Sequence, residues 1–339
     1  MFNNLPSFGK IVKIVADDQI PFVPELFSSL GTCIQKPGVA IHWSDVQDAD
    51  ILLTRTITPV NAELLDNTSV RWVGSATAGY DHLDTSWLEA AGIAWAYAPG
   101  ANATTVAHYV EGCVSYLMSQ KLLSPHARAG VIGVGRVGTK VVEKLQHHKF
   151  HVVSNDPPRA AQEKDFVSTP LTEFDSLDLI CVHTPLTTTG PFSTYHLLDT
   201  AFLKRLKPGC VLLNAGRGAV IDHHALLFTN QIILCLDVWE NEPQIHLDLL
   251  KKAVIATPHI AGYSRAAKFR ATLMLYEQAT QYFQLPNIAA TWIAQEKVNQ
   301  QEPDYHPEKD TQQMKKVLLN HPQEVANYFR YLRRDYVLR

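Results

Sequence analysis

Three polar residues of complementary chemistry lie in the second half of the chain, each in a turn after a predicted strand: Arg217, Glu242 and His259. An arginine fork can grip a substrate carboxylate and polarise an adjacent carbonyl. Histidine can take a hydroxyl proton near neutral pH, and a carboxylate behind it would orient the ring and stabilise the imidazolium. Taken singly, they read as a surface arginine, a helix-start acid and one of 15 histidines. As an ordered set, they indicate oxidation of a hydroxy acid.

A glycine-rich motif upstream of these residues supplies a partner for that chemistry. It follows the apolar strand at 131–132 and opens a helical run. The first glycine permits a tight turn, the second lets backbone amides approach a pyrophosphate, and the third lets the helix pack on the strand. The motif therefore predicts a dinucleotide site whose binding residues are Gly133, Gly135, Arg136, Val137 and Gly138.

The next predicted strand ends at Asp156, about 20 residues after the motif, where a carboxylate accepts the hydroxyls of the adenosine ribose. Its charge would repel a 2′-phosphate, so NAD is favoured over NADP. The plainer interpretation is that Asp156 only begins the turn into Pro157 and Pro158. Arg159 lies close enough to soften the preference if it swings towards the ribose.

Short β-branched runs alternate with amphipathic segments along most of the chain, which predicts parallel strands covered by helices. The sequence thus predicts an α/β protein with two doubly wound parallel-sheet domains. A substrate domain is expected over 1–102 and 266–285, and a Rossmann NAD-binding domain over 103–265. We predict strands and helices at these positions: strands near 11–16, 49–54, 70–75, 130–132, 152–153, 179–182, 211–213 and 232–236, and helices over 21–30, 103–123 and 265–283.

Residues 286–339 are expected to form a short C-terminal extension with helices over 311–319 and 323–331. Apolar residues occupy one face of each otherwise polar helix, which predicts an element of a two-fold interface and hence a homodimer. These residues are Met314, Val317, Leu318, Val325, Tyr328 and Phe329.

Composition limits the classes of partner. The chain has 339 residues, 46% of them hydrophobic, and a formal net charge of −3 without long single-sign blocks, so neither nucleic acid nor a membrane is expected to bind it. No basic start precedes an apolar run, and no run reaches the roughly 18 residues of a membrane span. A cytoplasmic location is expected. The five cysteines are scattered and read as reduced core residues, and without C-x-x-C or H-E-x-x-H we predict no metal.

From about residue 11 to 285 the chain resembles the D-isomer-specific 2-hydroxy-acid dehydrogenases, with Arg217, Glu242 and His259 in the family's catalytic motifs. Several further segments are similar to the branch that oxidises 4-phospho-D-erythronate to its 2-oxo acid in pyridoxal 5′-phosphate biosynthesis. They are Ala16-Asp17-Asp18-Gln19-Ile20-Pro21, Ala76-Thr77-Ala78-Gly79-Tyr80-Asp81-His82, Asn155-Asp156-Pro157-Pro158-Arg159, His183-Thr184-Pro185-Leu186 and His259-Ile260-Ala261-Gly262-Tyr263.

The resemblance implies a flavodoxin-like fold for the substrate domain and roles for six further residues. Thr184, Asp237 and Gly262 are expected to line the cofactor, with Asp237 bonded to the carboxamide of nicotinamide. Thr56, Thr77 and Tyr263 are expected to contact a phosphorylated hydroxy acid. Two alternatives stay open: a dehydrogenase of the same family acting on phosphoglycerate or glyoxylate, and a nucleotide-sensing binding protein similar to the corepressors that share this fold.

Overall fold

The structure is a computed structural model that describes residues 12–296, 302 and 304–338. Its contacts divide the chain into two compact units, Met1–Asn102 with Ser264–Gln301, and Ala103–Tyr263 with Glu302–Arg339. The segment 286–339, which we expected to be one C-terminal region, is shared between the two units.

The first unit is built on a five-stranded parallel sheet in the order β2-β1-β3-β4-β5. Successive residues of a strand enter separate cores on the two faces, Ile14 in one and Val15 in the other. Both faces are covered, as the continuous apolar runs required. Its elements before residue 103 are β1 (Val12–Asp17), α1 (Val23–Phe27), β2 (Gly31–Lys36), α2 (Trp43–Val46), β3 (Ile51–Thr54), α3 (Ala62–Leu65), β4 (Trp72–Ser75), α4 (Thr85–Ala90) and β5 (Ala94–Tyr97).

The second unit carries a six-stranded parallel sheet in the order β11-β10-β9-β8-β6-β7, so the strand order reverses between β6 and β8. Ligands of open α/β sheets bind outside the carboxyl ends of the strands at such a reversal. Its elements are α5 (Ala103–Ser119), β6 (Arg128–Ile132), α6 (Arg136–His147), β7 (His151–Asn155), α7 (Pro157–Gln162), β8 (Leu179–Val182), α8 (Thr200–Arg205), β9 (Val211–Asn214), α9 (His223–Phe228), β10 (Ile233–Leu236), α10 (Leu247–Lys252) and β11 (Ile255–Ala256).

The chain then returns to the first unit with α11 (Arg265–Phe283) and α12 (Ala289–Glu296), and ends in the second with α13 (Pro307–Asn320) and α14 (Val325–Arg334). The expected class of two doubly wound parallel-sheet domains is confirmed. Among the described residues, no helix combines the length and the apolar character that a bilayer crossing demands.

The expectation that α13 and α14 expose apolar faces is wrong. Met314, Leu318, Val325 and Phe329 are buried in the second unit's own core, beside residues of β8, β9 and β10, and Val317 and Tyr328 pack partly buried against it. The physical reason is that helices with one apolar face bury it on whichever apolar surface is nearest. The amphipathic pattern is real, but it serves the chain's own core.

Candidate active site

The glycine motif forms the loop between β6 and α6. Gly133 has φ +83°, a conformation that a residue with a side chain rarely adopts, and a Cβ on Gly138 would lie 2.0 Å from the Gly133 carbonyl oxygen. At Gly135, the residue before α6, a Cβ would meet nothing within 4 Å. Arg136 is exposed and Val137 packs partly buried against the core. The loop therefore offers open space and unpaired helix N-terminal amides together.

Polar atoms left without partners lie beside this loop. Within the described part of the chain, neither ring nitrogen of His183 nor the hydroxyl of Thr184 has a hydrogen-bond partner, although all three atoms are buried. Burial lowers the pKa of His183 to about 3, so its ring is neutral. Unpartnered buried polar groups are unusual in a finished core. Together with the space at Gly135, they fit a polar dinucleotide, and Thr184 lies next to Gly133 of the loop.

Asp156 follows β7 and is tied to the same loop. One carboxylate oxygen accepts from the Val134 amide at 2.8 Å, and the other accepts from the Arg159 amide at 3.0 Å and so caps α7. Arg159 donates to the Val134 carbonyl at 2.8 Å and to Glu163, and its guanidinium lies 4.3 Å from the centre of the Phe166 ring. Asp156 is thus both a turn residue and a part of the glycine loop. Arg159 is held by several contacts of its own.

Glu242 and His259 are brought together, as predicted. The Nδ1 atom of His259 is hydrogen-bonded to one carboxylate oxygen of Glu242, and the Trp239 amide donates to the other at 3.1 Å. Burial alone would raise the pKa of Glu242, but the charge and hydrogen bond of His259, the charge of Arg333 and the Trp239 amide outweigh it and hold that pKa below its usual range. An ionised carboxylate can only accept, so Nδ1 carries the proton and Nε2 is left as the basic nitrogen.

A buried carboxylate organises the turn that carries His259. Asp237 is 1% exposed, and its oxygens accept from the Thr257 hydroxyl at 2.7 Å and from the Ile260 and Ala261 amides at 2.7 Å and 3.1 Å. Burial raises the pKa of Asp237 in spite of these bonds and of the nearby His259. His259 itself has φ +58°, and its amide donates to the Asp237 carbonyl at 2.8 Å. Asp237 therefore holds the strained backbone of the His259 turn in place.

Arg217 follows β9 in a turn that its own strand supports. Asn214, fully buried, accepts from the Gly216 amide and donates to the Arg217 carbonyl, both at 3.0 Å. A Cβ on Gly218 would lie 2.0 Å from the Trp239 carbonyl carbon, so the turn after Arg217 packs closely on the segment that leads to Glu242. Sequence reasoning did not find Asn214 or Trp239, since an amide and an indole next to known motifs carry no distinct spacing signal.

The predicted substrate residues are divided between the units. In the first unit, Thr56 is exposed after β3, and the Thr77 hydroxyl bonds Ser75 at 2.5 Å and the Gly79 carbonyl at 2.7 Å. In the second unit, Gly262 and Tyr263 are half-buried at the end of the His259 turn. The Tyr263 oxygen accepts from Arg333 at 3.0 Å. Arg333 is another residue that the sequence did not reveal.

One further polar cluster lies near the carboxyl ends of β9 and β10. Ligand atoms of His196, Asp222 and Glu240 lie within 4.8 Å of one another, a grouping that could hold a metal ion. The His196 Nε2 atom bonds Glu240 at 2.7 Å, while Asp222 caps α9. Hydrogen bonds within the chain therefore account for these three side chains.

Known proteins similar to this chain agree on its family. Residues 115–261 match the model described as D-isomer specific 2-hydroxyacid dehydrogenase, NAD binding domain. An erythronate-4-phosphate dehydrogenase of Coxiella burnetii (strain RSA 331 / Henzerling II) is 51% identical over 344 residues, covering 97% of this chain and 93% of the relative. The enzyme of that name from Cellvibrio japonicus (strain Ueda107) is 45% identical over 271 residues, 78% of this chain and 70% of the relative.

The fold has relatives among solved structures. The NAD+-bound 3-phosphoglycerate dehydrogenase in Entamoeba histolytica aligns with a TM-score of 0.67 at 20% identity, over 81% of this chain and 96% of the other. That likeness supports the architecture, while the full-length identity to the Coxiella enzyme supports the branch. The resemblance predicted from the motifs is confirmed. The chain therefore belongs to the D-isomer-specific 2-hydroxyacid dehydrogenase family, on the branch of the erythronate-4-phosphate dehydrogenases, and is an NAD-dependent oxidoreductase.

Proposed function

We propose that the chain oxidises 4-phospho-D-erythronate to its 2-oxo acid, a step of pyridoxal 5′-phosphate biosynthesis. The observation that carries this proposal is the bonded Glu242–His259 pair in a unit that also holds Arg217 and the glycine loop. The name of the 51%-identical relative supplies the substrate.

In this mechanism His259 is the general base. Its Nε2 atom takes the proton of the substrate hydroxyl, because the hydrogen bond from Nδ1 to Glu242 leaves Nε2 as the acceptor. Glu242 stabilises the imidazolium that forms, much as the buried carboxylate does in a Ser-His-Asp triad. Arg217 binds the carboxylate next to the reacting carbon and polarises the carbonyl that develops. The glycine loop would hold NAD, which would supply the hydride acceptor for the carbon that carries the hydroxyl.

The glycine loop, Asp156, Thr184 and Gly262 are the proposed cofactor contacts, and Asp237 is proposed to bond the nicotinamide carboxamide. Each Asp156 oxygen has a second lone pair beyond its bond to a backbone amide, so both can still accept from ribose hydroxyls. The same charge opposes a 2′-phosphate. Hydrogen bonds to charged groups contribute about 1.5 to 3 kcal/mol each, which corresponds to at least a roughly 10-fold preference for NAD.

Replacing Asp156 by alanine is expected to narrow the preference for NADH over NADPH, measured by paired fluorescence titrations. Because Asp156 also caps α7, the variant should unfold at a lower temperature. Asp199→Ala is the matched control, since Asp199 caps α8 through the Phe202 amide at 2.8 Å. It should lose similar stability and keep the cofactor ratio. If Asp156→Ala leaves the ratio of NADH to NADPH affinity unchanged, Asp156 is only a turn residue.

The proposed phosphate site is in the first unit, where the strand order reverses between β1 and β3. Arg55 follows β3 and donates two hydrogen bonds, of 2.9 Å and 3.0 Å, to Asp17, a fully buried carboxylate at the end of β1. Lys268 on α11 interacts electrostatically with both. Thr56 and Thr77 add hydroxyls after the neighbouring strands. An oriented guanidinium and an ammonium at a reversal point suit a phosphoryl group.

Arg55→Met, combined with Asp17→Asn so that no buried carboxylate is left unpaired, is expected to lower kcat/KM for 4-phospho-D-erythronate by about 10-fold or more. Oxidation of unphosphorylated D-erythronate should change little, and competitive inhibition by inorganic phosphate should weaken.

The matched control is Arg71→Met with Asp50→Asn. Arg71 and Asp50 form a similar ion pair of 2.8 Å at the opposite, amino-terminal edge of the same sheet, where Asp50 is nearly buried. This control should leave both substrates unaffected. Equal losses with both substrates in the Arg55 variant would remove the phosphate from this site.

The function itself is tested by NADH formation with 4-phospho-D-erythronate, 3-phosphoglycerate and glycolate, and by NADH oxidation with the matching oxo acids. Preference for the first pair supports the proposal. Preference for another pair of hydroxy and oxo acids assigns a different substrate to the chain. NADH binding without turnover of any of these acids favours a nucleotide-sensing protein.

We also propose a cytoplasmic location and a homodimer. All five cysteines are free, which suits a reducing compartment. The dimer now rests on the family resemblance, since the faces first expected to form it are buried. Among the described residues after α12, Tyr331 and Val337 are large apolar side chains that are exposed and that an interface would cover. Sedimentation of the full chain measures the oligomeric state.

A further inference from the structure

A chain of hydrogen bonds in the first unit leads from His82 to the loop after β4. The Nε2 atom of His82 is hydrogen-bonded to the Ser75 hydroxyl at 2.8 Å, and that hydroxyl is hydrogen-bonded to the Thr77 hydroxyl at 2.5 Å. The Thr77 hydroxyl donates to the Gly79 carbonyl at 2.7 Å. Ser75 ends β4 and is fully buried, so its hydroxyl depends on these bonds and not on solvent.

The number of protons fixes the direction of every bond in this chain. A carbonyl oxygen only accepts, so the proton of Thr77 lies in the bond to Gly79. The bond between the two hydroxyls must then use the proton of Ser75, and Ser75 must accept from His82. Burial lowers the pKa of His82, which favours the neutral ring, and a neutral ring carries one proton only. That proton is therefore on Nε2.

Thr77 is left as an acceptor with no proton to offer. Its oxygen donates to Gly79 and accepts from Ser75, so one of its two lone pairs remains. The side chain is half-buried. A ligand group that bonds this lone pair must bring a proton. Carboxylate and phosphate groups are largely ionised near pH 7 and bring none, whereas an alcohol does.

The loop that carries Thr77 leaves the sheet beside the proposed phosphate site. Strands β3 and β4 are paired with Thr54 opposite Ser75, so the segments that begin at Arg55 and Ala76 leave the same edge next to each other. The Ala76 amide donates to the Thr54 carbonyl at 2.9 Å and joins the two segments. Ligands of open α/β sheets bind outside the carboxyl ends of the strands. Thr77 is therefore placed to contact the substrate whose phosphate Arg55 is proposed to bind.

We propose that Thr77 accepts a hydrogen bond from the C3 hydroxyl of the substrate, and that Ser75 and His82 are positioning residues that hold Thr77 as an acceptor. The inference rests on the proposed function and deepens it. 4-Phospho-D-erythronate has two hydroxyls, and the proton of the C2 hydroxyl goes to His259 in the proposed mechanism, which leaves the hydroxyl on C3. The phosphate, which brings no proton, is left to the cations of its own site. The chain thus selects a hydroxy acid that carries a second hydroxyl.

Replacing Thr77 by valine is expected to lower kcat/KM for 4-phospho-D-erythronate by about 5- to 10-fold, because the C3 hydroxyl loses its partner. The 3-deoxy analogue, which lacks that hydroxyl, should lose little. The ratio of the two kcat/KM values is the readout, because a change in folding or in loop position affects both substrates and cancels. Thr77→Ser keeps a hydroxyl and should keep the ratio.

Removing the donor behind Thr77 tests the positioning roles. In His82→Leu the Ser75 hydroxyl loses its donor and can turn to accept from Thr77, so the free lone pair is no longer held in one direction. The ratio should fall about threefold, and Ser75→Ala should lower it by at least as much. In the Thr77→Val background, His82→Leu should not change the ratio further, because the acceptor that His82 positions is absent.

Thr68→Val is the matched control. Thr68 is a half-buried threonine of the same unit, its hydroxyl donates to the Leu65 carbonyl at 2.8 Å, and it precedes β4 instead of following it. This variant should lose stability and keep the ratio.

Three kinetic outcomes would contradict the proposal. An unchanged ratio in Thr77→Val would overturn it and make Thr77 a loop residue. A loss confined to phosphorylated substrates, with unphosphorylated D-erythronate unaffected, would assign Thr77 to the phosphate instead. An unchanged ratio in both His82→Leu and Ser75→Ala would remove the positioning roles.

A measurement without substrate separates this inference from the proposed function. The ring nitrogen shifts of His82, assigned by their loss in His82→Gln, distinguish a proton on Nε2 from a proton on Nδ1 by NMR. We expect the proton on Nε2, whichever hydroxy acid the enzyme oxidises. A proton on Nδ1 would overturn the inference even if 4-phospho-D-erythronate proves to be the substrate. Failure of the unmodified chain to oxidise that acid would instead overturn the proposed function, together with the C3 contact.

Discussion

Replacing His259 by alanine is expected to lower kcat by roughly 10² to 10⁴-fold while leaving NADH binding nearly intact, the range for loss of a general acid or base. The reason is geometric: Glu242 is bonded to Nδ1 of His259, which leaves Nε2 as the base in the proposed mechanism. The rate of NADH formation with the preferred hydroxy acid measures kcat. A fluorescence titration measures the affinity for NADH separately.

The backbone of His259 calls for a second variant. At φ +58°, alanine is more strained than histidine, whereas asparagine tolerates the left-handed region well. His259→Asn should therefore lose as much turnover as His259→Ala with less loss of stability. His224→Ala, at an exposed histidine on α9, is the control and should keep full activity. Wild-type turnover in both His259 variants would take this residue out of the mechanism.

Changing Arg217 to lysine should cost about 10² to 10³-fold in kcat/KM, comparable to removing one donor to a developing oxyanion. Lysine keeps the charge but cannot reproduce a planar, two-pronged contact with a carboxylate. Because Asn214 holds the backbone of the turn through the Gly216 amide and the Arg217 carbonyl, the loss should be in recognition and not in folding.

Arg205→Lys tests the substitution itself, since Arg205 is a partly exposed arginine at the end of α8 that pairs with Asp175 at 3.2 Å. It should have no kinetic effect. Thermal unfolding of both variants should match that of the unmodified chain. If Arg217→Lys keeps its kcat/KM, the carboxylate is bound by another group.

The sequence predicted the central strands and the loops that follow them, because their signals are local. A buried parallel strand reads as an uninterrupted apolar run, as at β8, and the glycine motif brings its own turn geometry. The strands it missed lack that signal. Edge strand β2 alternates exposed and half-buried residues, edge strand β5 is mostly half-buried, and β11 is two residues long. These segments are strands because they pair with a neighbouring strand, and their own residues do not indicate that pairing.

The candidate active site could be predicted from the sequence to the same extent as the fold. Glu242 and His259 each sit in a recognisable turn, and their pairing followed from the chemistry that joins them. Arg333 could not be found this way, because it lies 70 residues from Tyr263 in a helix whose pattern shows only an apolar face. That pattern was interpreted as part of a two-fold interface, whereas the apolar face packs on the second unit's own core, since an amphipathic helix does not specify which surface covers it.

The interleaving of the two units in the chain has a consequence for how the polypeptide folds during synthesis. The first unit needs α11, which the ribosome delivers only after all six strands of the second sheet, and the second needs α13 and α14, which follow α11 and α12. Neither unit can complete its core as a nascent fragment, although domains usually fold in order of synthesis. Both cores must therefore be completed late, after long loops have closed, and the second core is complete only once α13 and α14 have left the ribosome.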